Sequence, residues 1–265
     1  MKLSIIIPCY NEERTIRELL ELLQEQDFPI DHEILVIDNG SRVPVRAFIS
    51  SFLEKPEVKL YRLKKNLGKG TAVQLGLKKA SGDYILIQDA DLEYLPEDIP
   101  TLIDALFESN AKFVFGSRLS EGTNDMHFLH RAANKVLTWI INRFYGSHLT
   151  DLETGYKLFN RSILVGSALR AREFEFDPEI TSKILRAGYD IIEVPINYHT
   201  RVNGIAKISV ADGLEALFVL FLYRFFEHSM LMNWFYSIFK YHAKPAINWL
   251  KDVCFYWIKH PSGIS

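Results

Sequence analysis

Three carboxylates at alternate positions close an apolar run in this chain: Ile85-Leu86-Ile87-Gln88 leads straight into Asp89-Ala90-Asp91-Leu92-Glu93. The run reads as a buried strand, and the acids fall where that strand leaves its sheet. Open α/β sheets bind ligands at this end of their strands. Hard cations such as Mg2+ and Mn2+ take oxygen ligands, commonly one or two carboxylates together with substrate phosphates. The chemistry on offer is therefore a metal site on Asp89, Asp91 and Glu93 that holds a phosphorylated ligand. The same pattern also serves as a plain turn or as the charge at a helix N-terminus, so the elements around it must decide.

Those elements alternate. Strands are expected at 3–7, 33–37, 58–63, 83–88, 112–116 and 190–196, and helices at 12–26, 43–53, 69–80, 97–109, 127–144 and 177–187. The first helix carries Ile16, Leu19, Leu20 and Leu23 at helical spacing. The last reads as capped by Asp177, with Pro178 at its first position. Strands and helices in this rhythm form βαβ units with right-handed crossovers and a mostly parallel sheet.

The bulk properties exclude several classes. A net charge of −2 leaves no electrostatic footprint for nucleic acid. The two cysteines, Cys9 and Cys254, form neither a disulfide framework nor a zinc spacing, and they fit a reducing cytosol. Leu3 to Ile7, cut by Pro8, is too short for a signal-peptide core. No stretch reaches the roughly 18 uncharged apolar residues of a membrane span. No G-x-G-x-x-G follows the first strand, which excludes a dinucleotide oxidoreductase, and Gly68-Lys69-Gly70 lacks the spacing of a P-loop.

Further segments stand beside Asp89-Ala90-Asp91. Pro8-Cys9-Tyr10-Asn11-Glu12-Glu13 closes the first strand and Val36-Ile37-Asp38-Asn39-Gly40-Ser41 the second. Asn66-Leu67-Gly68-Lys69-Gly70 precedes the third helix, and Phe115-Gly116-Ser117-Arg118 closes a later strand. Arg131 and Asn134 follow, then Asp151-Leu152-Glu153-Thr154-Gly155-Tyr156, Phe174-Glu175-Phe176-Asp177-Pro178-Glu179, and Glu193-Val194-Pro195-Ile196 before Arg201. Together these segments resemble the family 2 inverting glycosyltransferases, and within them the dolichyl- or polyprenyl-phosphate mannosyl- and glucosyltransferase branch. The resemblance covers residues 1–225.

It implies the α/β GT-A fold, with a catalytic domain over 1–205 divided into a nucleotide-sugar half, 1–117, and an acceptor half, 118–205. On the donor side it assigns Pro8, Tyr10 and Glu12 to the base and ribose pocket and Asp38 to a base or ribose hydroxyl. It assigns Lys69, Asp89, Ala90, Asp91, Arg201 and Lys207 to the nucleotide sugar as well. Relatives often carry Asp-Asp where this chain has Asp38-Asn39, often Gln at the position of Glu93, and a Gly-Lys-Lys pattern at Gly204-Ile205-Ala206-Lys207. Mg2+ or Mn2+ is the implied cofactor. On the acceptor side stand Arg118, Arg131, Asn134, Asp151 and Thr154. An arginine fork matches phosphate oxygens, so Arg118 and Arg131 join Asp91 as the expected catalytic groups. A phosphate acceptor is already anionic and needs no general base; Asp151, Glu153, Glu175 and Asp177 are the candidate acids for a hydroxyl acceptor. His127, His130 and His199 lack metal-ligand spacing.

After residue 205 the composition shifts. Leu214 to Phe226 is densely apolar, and 231–258 mixes Trp234, Trp249, Trp257, Tyr236, Tyr241 and Tyr256 with lysines. Residues 206–265 are expected to form a helical appendage that lies at a membrane interface or supports a homodimer. The expected activity is transfer of a hexose from a GDP- or UDP-sugar to a polyprenyl phosphate at the cytoplasmic face of a membrane. The alternatives are a sugar-hydroxyl acceptor in cell-surface glycan synthesis and a nucleotide-sugar binding protein without catalysis.

Overall fold

The computed structural model describes residues 1–119, 126, 128–164, 169–199, 210–226 and 237–247. The chain divides into two compact units, residues 1–205 and 206–265. Arg201, Lys207 and His127 lie outside the described residues, as do Trp234, Trp249 and Trp257.

The first unit is built on a seven-stranded sheet of order β3-β2-β1-β4-β6-β5-β7. Its strands are β1 (Lys2–Cys9), β2 (Asp31–Asp38), β3 (Val58–Arg62), β4 (Tyr84–Ile87), β5 (Phe113–Ser117), β6 (Lys157–Asn160) and β7 (Ile192–Pro195). All pairs are parallel except those of β6, which runs against both β4 and β5. The helices are α1 (Ile16–Glu25), α2 (Arg46–Ile49), α3 (Lys69–Lys79), α4 (Ile99–Glu108), α5 (Phe128–Tyr145), α6 (Arg161–Leu164) and α7 (Phe176–Arg186). The single helix expected over 43–53 is instead α2 followed by a 3₁₀ turn, Ser50–Glu54.

Near-continuous apolar runs make the central strands two-sided, as a sheet covered on both faces requires. One core layer joins Ile5 and Ile7 of β1 to Leu19 and Leu23 of α1 and to Leu102 and Leu106 of α4. The other joins Ile6, Ile85 and Ile87 to Ala72 and Val73 of α3 and to Phe176 and Ile180 of α7.

The topology sends every chemistry-bearing segment to one edge. The parallel strands β1, β2, β4 and β5 end there at Cys9, Asp38, Ile87 and Ser117. Because β6 is antiparallel it begins at that edge, with Lys157 opposite both Ile87 and Phe115. The loop before it, residues 151–155, therefore lands beside the acids that follow β4.

The second unit contains α8 (Val210–Phe225) and a short helix at 237–247 with a π turn at Phe239–Ala243. Phe218 stacks on Phe239 at 4.7 Å, and the Lys244 ammonium lies 2.8 Å from Asp212 and 2.5 Å from Glu215. No helix among the described residues is long and apolar enough to cross a membrane.

Helix α3 seats Lys69 in its first turn, and it lies close to β1 because Gly76 faces Ile6: a Cβ at Gly76 would run into the Ile6 side chain. Gly76→Val should therefore cost about 1–3 kcal/mol by overpacking. Urea unfolding checks this, and an unchanged midpoint would show that α3 has slack against the sheet.

Candidate functional site

The acid loop is fixed by its own backbone. Leu92 adopts φ +62°, which turns the chain after Asp91, and the Glu93 N–H donates to Asp91 Oδ1 at 3.3 Å. The Ala90 carbonyl is held from below by Thr15 Oγ1 at 2.6 Å. Gln88, fully buried, donates to the carbonyls of Asp89 and Tyr94 and accepts from the Tyr156 hydroxyl. Asp91 and Glu93 stay half-buried.

Asp89 faces a lysine. Lys69 Nζ lies 2.8 Å from Oδ1 and 2.9 Å from Oδ2 of Asp89, and 4.0 Å from Asp177. Asp177 in turn takes the ammonium of Lys157 at 2.6 Å. Lys157 has no exposure at all; its remaining hydrogen bonds go to the carbonyls of Leu152 and Thr154. Burial opposes the Lys69 charge, but Asp89 and Asp177 outweigh it and hold its pKa above the ordinary lysine value. Asp177 is thus a partner in a buried chain of alternating charges. The expected N-cap role is not observed: the residue flanking α7 is Glu175, and no side chain caps that end.

On the other side of the edge, Arg118 and Asp151 hold each other. The Arg118 guanidinium donates from Nε and Nη2 to the two carboxylate oxygens, both at 2.7 Å, and its backbone N–H adds a third bond at 3.0 Å. Asn134 Nδ2 donates to Asp151 Oδ1 at 2.6 Å. Glu193 accepts from the backbone N–H groups of Thr150 and Asp151 at 2.6 and 3.0 Å. The Arg118 guanidinium also lies over the rings of Tyr94 and Tyr198. Burial works against the Asp151 charge, yet Arg118 pulls its pKa below the carboxylate range. The expected acceptor groups Arg118, Asn134 and Asp151 are thus brought together, with the Arg118 fork on Asp151. Arg131, one turn before Asn134 on α5, is half-buried and pairs with no carboxylate among the described residues.

Two polar groups in the 151–155 loop stand out. Glu153 Oε1 and Thr154 Oγ1 are sealed from solvent without a hydrogen-bond partner among the described residues. Burial, reinforced by Asp177, pushes the Glu153 carboxyl up to about 8, against the pull of Lys157 and Arg118. Gly155 touches the acid loop: its N–H donates to the Tyr94 hydroxyl at 3.2 Å, and a Cβ there would run into Asp89 Oδ2.

At the expected base pocket, Asp38 is fully buried. It accepts from the Ser41 and Val45 N–H groups at 2.9 and 3.2 Å and pairs with Arg62 at 3.0 Å. Asn39 donates to Asn66 Oδ1 at 2.8 Å and accepts from the Leu67 N–H at 3.0 Å. A carboxylate at 39 could not donate, so the contact with Asn66 requires the amide. Tyr10 and Pro8 are half-buried beside this loop, and the carbonyl of Glu12 starts α1 by accepting from Ile16 at 3.0 Å. The glycines flanking Lys69 serve a protein contact. A Cβ at Gly68 or Gly70 would strike the 171–172 backbone, and Gly70 and Thr71 donate to the carbonyls of Glu173 and Arg172.

The donor set at the acid loop is all carboxylate oxygen, and Asp89 already balances a cation in Lys69. The oxygen chemistry suits a hard divalent ion, but the ligand oxygens of Asp89, Asp91 and Glu93 do not all lie within 4.8 Å of one another, and both oxygens of Asp89 rest on Lys69. Sequence reasoning passed over Lys157, Gln88 and Tyr94; the one signal for Lys157 was a lysine opening an otherwise apolar strand segment, Lys157-Leu158-Phe159.

Residues 4–166 match the model of glycosyl transferase family 2. The chain belongs to this family. It is 29% identical over 223 residues to a dolichol-phosphate mannosyltransferase of Pyrococcus furiosus, a match covering 82% of this chain and 62% of that protein. It is 26% identical to a dodecaprenyl-phosphate galacturonate synthase of Rhizobium johnstonii, covering 85% of this chain and 68% of that one. A low-salt glycan biosynthesis hexosyltransferase of Haloferax volcanii is 30% identical, with 80% and 51% covered. The chain thus spans from about half to about two thirds of the length of these relatives. Among solved structures, glucosyl-3-phosphoglycerate synthase of Mycobacterium tuberculosis with phosphoglyceric acid aligns at a TM-score of 0.69. Identity is 19%, over 84% of this chain and 79% of that one. The same enzyme with Mn2+, UDP and its product aligns at 0.66. The fold of the first unit is GT-A, as the family resemblance implied.

The Glu153 carboxyl makes stability depend on pH. Its folded pKa lies above its ordinary value of 4.5, so the folded state binds the extra proton, and stability falls as pH rises from 4.5 to about 8. Glu153→Gln keeps a neutral group in place. Its unfolding free energy should match the parent's at the acid end and exceed it increasingly up to about pH 8, by at most about 1.4 kcal/mol per pH unit, with the melting temperature following in the same direction. Parallel pH profiles for the two proteins would show that Glu153 titrates normally.

Proposed function

We propose that this chain transfers a hexose from a nucleotide sugar to a polyprenyl phosphate, with inversion at the anomeric carbon. One observation carries the choice of acceptor. Relatives named for dolichol- and dodecaprenyl-phosphate products match 82–85% of the chain, and on its acceptor-side helix Arg131 has no carboxylate partner among the described residues. An arginine in that state suits a phosphate.

Asp89, Asp91 and Glu93 would hold Mg2+ or Mn2+, which when bound withdraws charge from a diphosphate leaving group. Lys69, bridging Asp89 and Asp177, adds a fixed positive charge on the donor side. Pro8, Tyr10 and Glu12 border the nucleotide end of the sheet, and Asp38 and Asn39 hold the loops beside them. Arg131 and Asn134 orient the acceptor, with Arg118 and Asp151 as the rigid block behind them. Glu153, protonated at neutral pH, adds no negative charge where two anions must meet. Positioning and electrostatics then carry the rate, since a phosphate oxygen attacks without a base. Arg201 and Lys207 complete the donor side in this reading.

One observation favours a second reading, transfer to a hydroxyl. Glu153 has a proton affinity near neutrality and an unpartnered oxygen, the properties of a general base. The structurally similar mycobacterial enzyme, by its description, forms glucosyl-3-phosphoglycerate.

Asp91→Asn should abolish Mn2+-dependent binding of nucleoside diphosphate, measured by calorimetry, and leave the melting temperature within a few degrees of the parent; undiminished binding refutes the metal site. Arg131→Ala should lower kcat/KM for polyprenyl phosphate by about tenfold to a hundredfold, the ~1.5–3 kcal/mol of a charged hydrogen bond, with nucleotide affinity unchanged. If Arg131→Ala weakens nucleotide binding equally, Arg131 belongs to the donor side. Transfer to hydroxyl acceptors alone, lost in Glu153→Gln, would establish the second reading.

A further inference from the structure

Helix α5 buries Leu137 and Ile141 together with two polar residues, Asn134 and Thr138, and carries a second apolar stripe on its outside. Its inner face holds the acceptor loop through side chains. Asn134 bonds to Asp151 and to the Glu153 N–H, Thr138 Oγ1 accepts from the Leu152 N–H, and Asn142 accepts from the Leu149 N–H. Its outer face shows Leu129, Val136 and Trp139 at 65%, 53% and 68% exposure, with Phe128 at 77% in its first turn. At about 100° per residue these side chains, with Ala132, Ala133 and the half-buried Ile140, share one arc roughly 140° wide. Arg143 is its only charged member. A helix normally turns such an arc toward a core; single exposed apolar residues are ordinary, whereas a contiguous stripe marks an interaction surface.

The charges decide what covers it. The 18 residues of α5 contain Arg131, Lys135, Arg143 and His130 but no Asp or Glu. A second copy meeting the same face about a two-fold axis would set cation against cation. A face of Trp, Leu and Val with basic residues and no acid suits the headgroup boundary of an anionic bilayer. We propose that the outer face of α5 docks the catalytic unit onto an anionic lipid surface, while its inner face holds the loop that receives the acceptor. The choice of a lipid occupant rests on the polyprenyl-phosphate reading above. It places the membrane contact on the catalytic unit itself, apart from the appendage after residue 205.

The test is co-sedimentation of the full chain with vesicles of phosphatidylcholine and phosphatidylglycerol, without donor or acceptor. Val136→Glu/Trp139→Glu puts two acids on exposed positions and should reduce the bound fraction at least about tenfold, with binding of the parent falling as salt is raised. Val136→Leu/Trp139→Phe keeps the face apolar and should bind as the parent does. Equal vesicle binding by the Glu variant, or no binding by the parent at low salt, overturns the proposal. So does a parent that sediments as a dimer while the Glu variant is a monomer with vesicle binding intact. Transfer to a short, water-soluble prenyl phosphate is measured separately. It should be unchanged in the Glu variant, and its absence in the parent would overturn the acceptor reading alone.

Discussion

The ammonium of Lys157, fully buried at the first position of β6, is the constraint on which the site depends. An ion removed from water costs several kcal/mol unless it is paired and hydrogen-bonded. Lys157 meets that demand with two carbonyls from the 151–155 loop and the carboxylate of Asp177. Asp177 is thereby committed as an anion and attracts Lys69 only at 4.0 Å, which leaves Lys69 close on Asp89. A charge introduced by one strand therefore sets the position of a carboxylate on the next. Without Lys157, Asp177 would compete for Lys69 at full strength, and Asp89 would lose its closest cation.

The antiparallel strand makes this coupling possible. In a wholly parallel sheet the loop before β6 would lie at the opposite edge, far from the acids that follow β4. Reversal of one strand brings 151–155 to the ligand edge, where β5, β7 and α5 hold it through Arg118, Glu193 and Asn134. These three elements hold the five-residue loop, and Gly155 is the point where this block meets Asp89. Arg118, Asp151, Asn134 and Glu193 bond into one network around the 151–155 loop; Arg131 makes no ion pair with it among the described residues.

The βαβ rhythm was legible because strand and helix periods report which faces are buried, and the acid loop was legible because it closes an apolar run. Partners were not legible. Arg118 and Asp151 are separated by 33 residues, and Lys157 and Asp177 by 20; no local period connects them. Asp177 followed by Pro178 has the local form of a cap, but the buried ammonium of Lys157 holds its carboxylate instead. The glycines around Lys69 were equally ambiguous, since close approach of a ligand and of another backbone demand the same missing Cβ. A helix over 127–144 was expected, but only the structure shows that Asn134 and Thr138 face inward beside Leu137 and Ile141.

That orientation has an energetic logic. Turning α5 to bury Leu129, Val136 and Trp139 would gain apolar area but remove Asn134 and Thr138 from the acceptor loop. The Leu152 and Glu153 N–H groups would then lose their partners, and Asp151 would keep only Arg118 and Glu193's hold on its backbone. Unsatisfied buried polar groups cost about 1–3 kcal/mol each, comparable to burying an exposed Leu or Val. Those two orphaned N–H groups, together with exposure of the now-buried Leu137 and Ile141, offset what the outer stripe would gain against a core already filled by other elements. The helix therefore keeps its polar side on the loop, and its apolar side is left for a surface whose chemistry matches it.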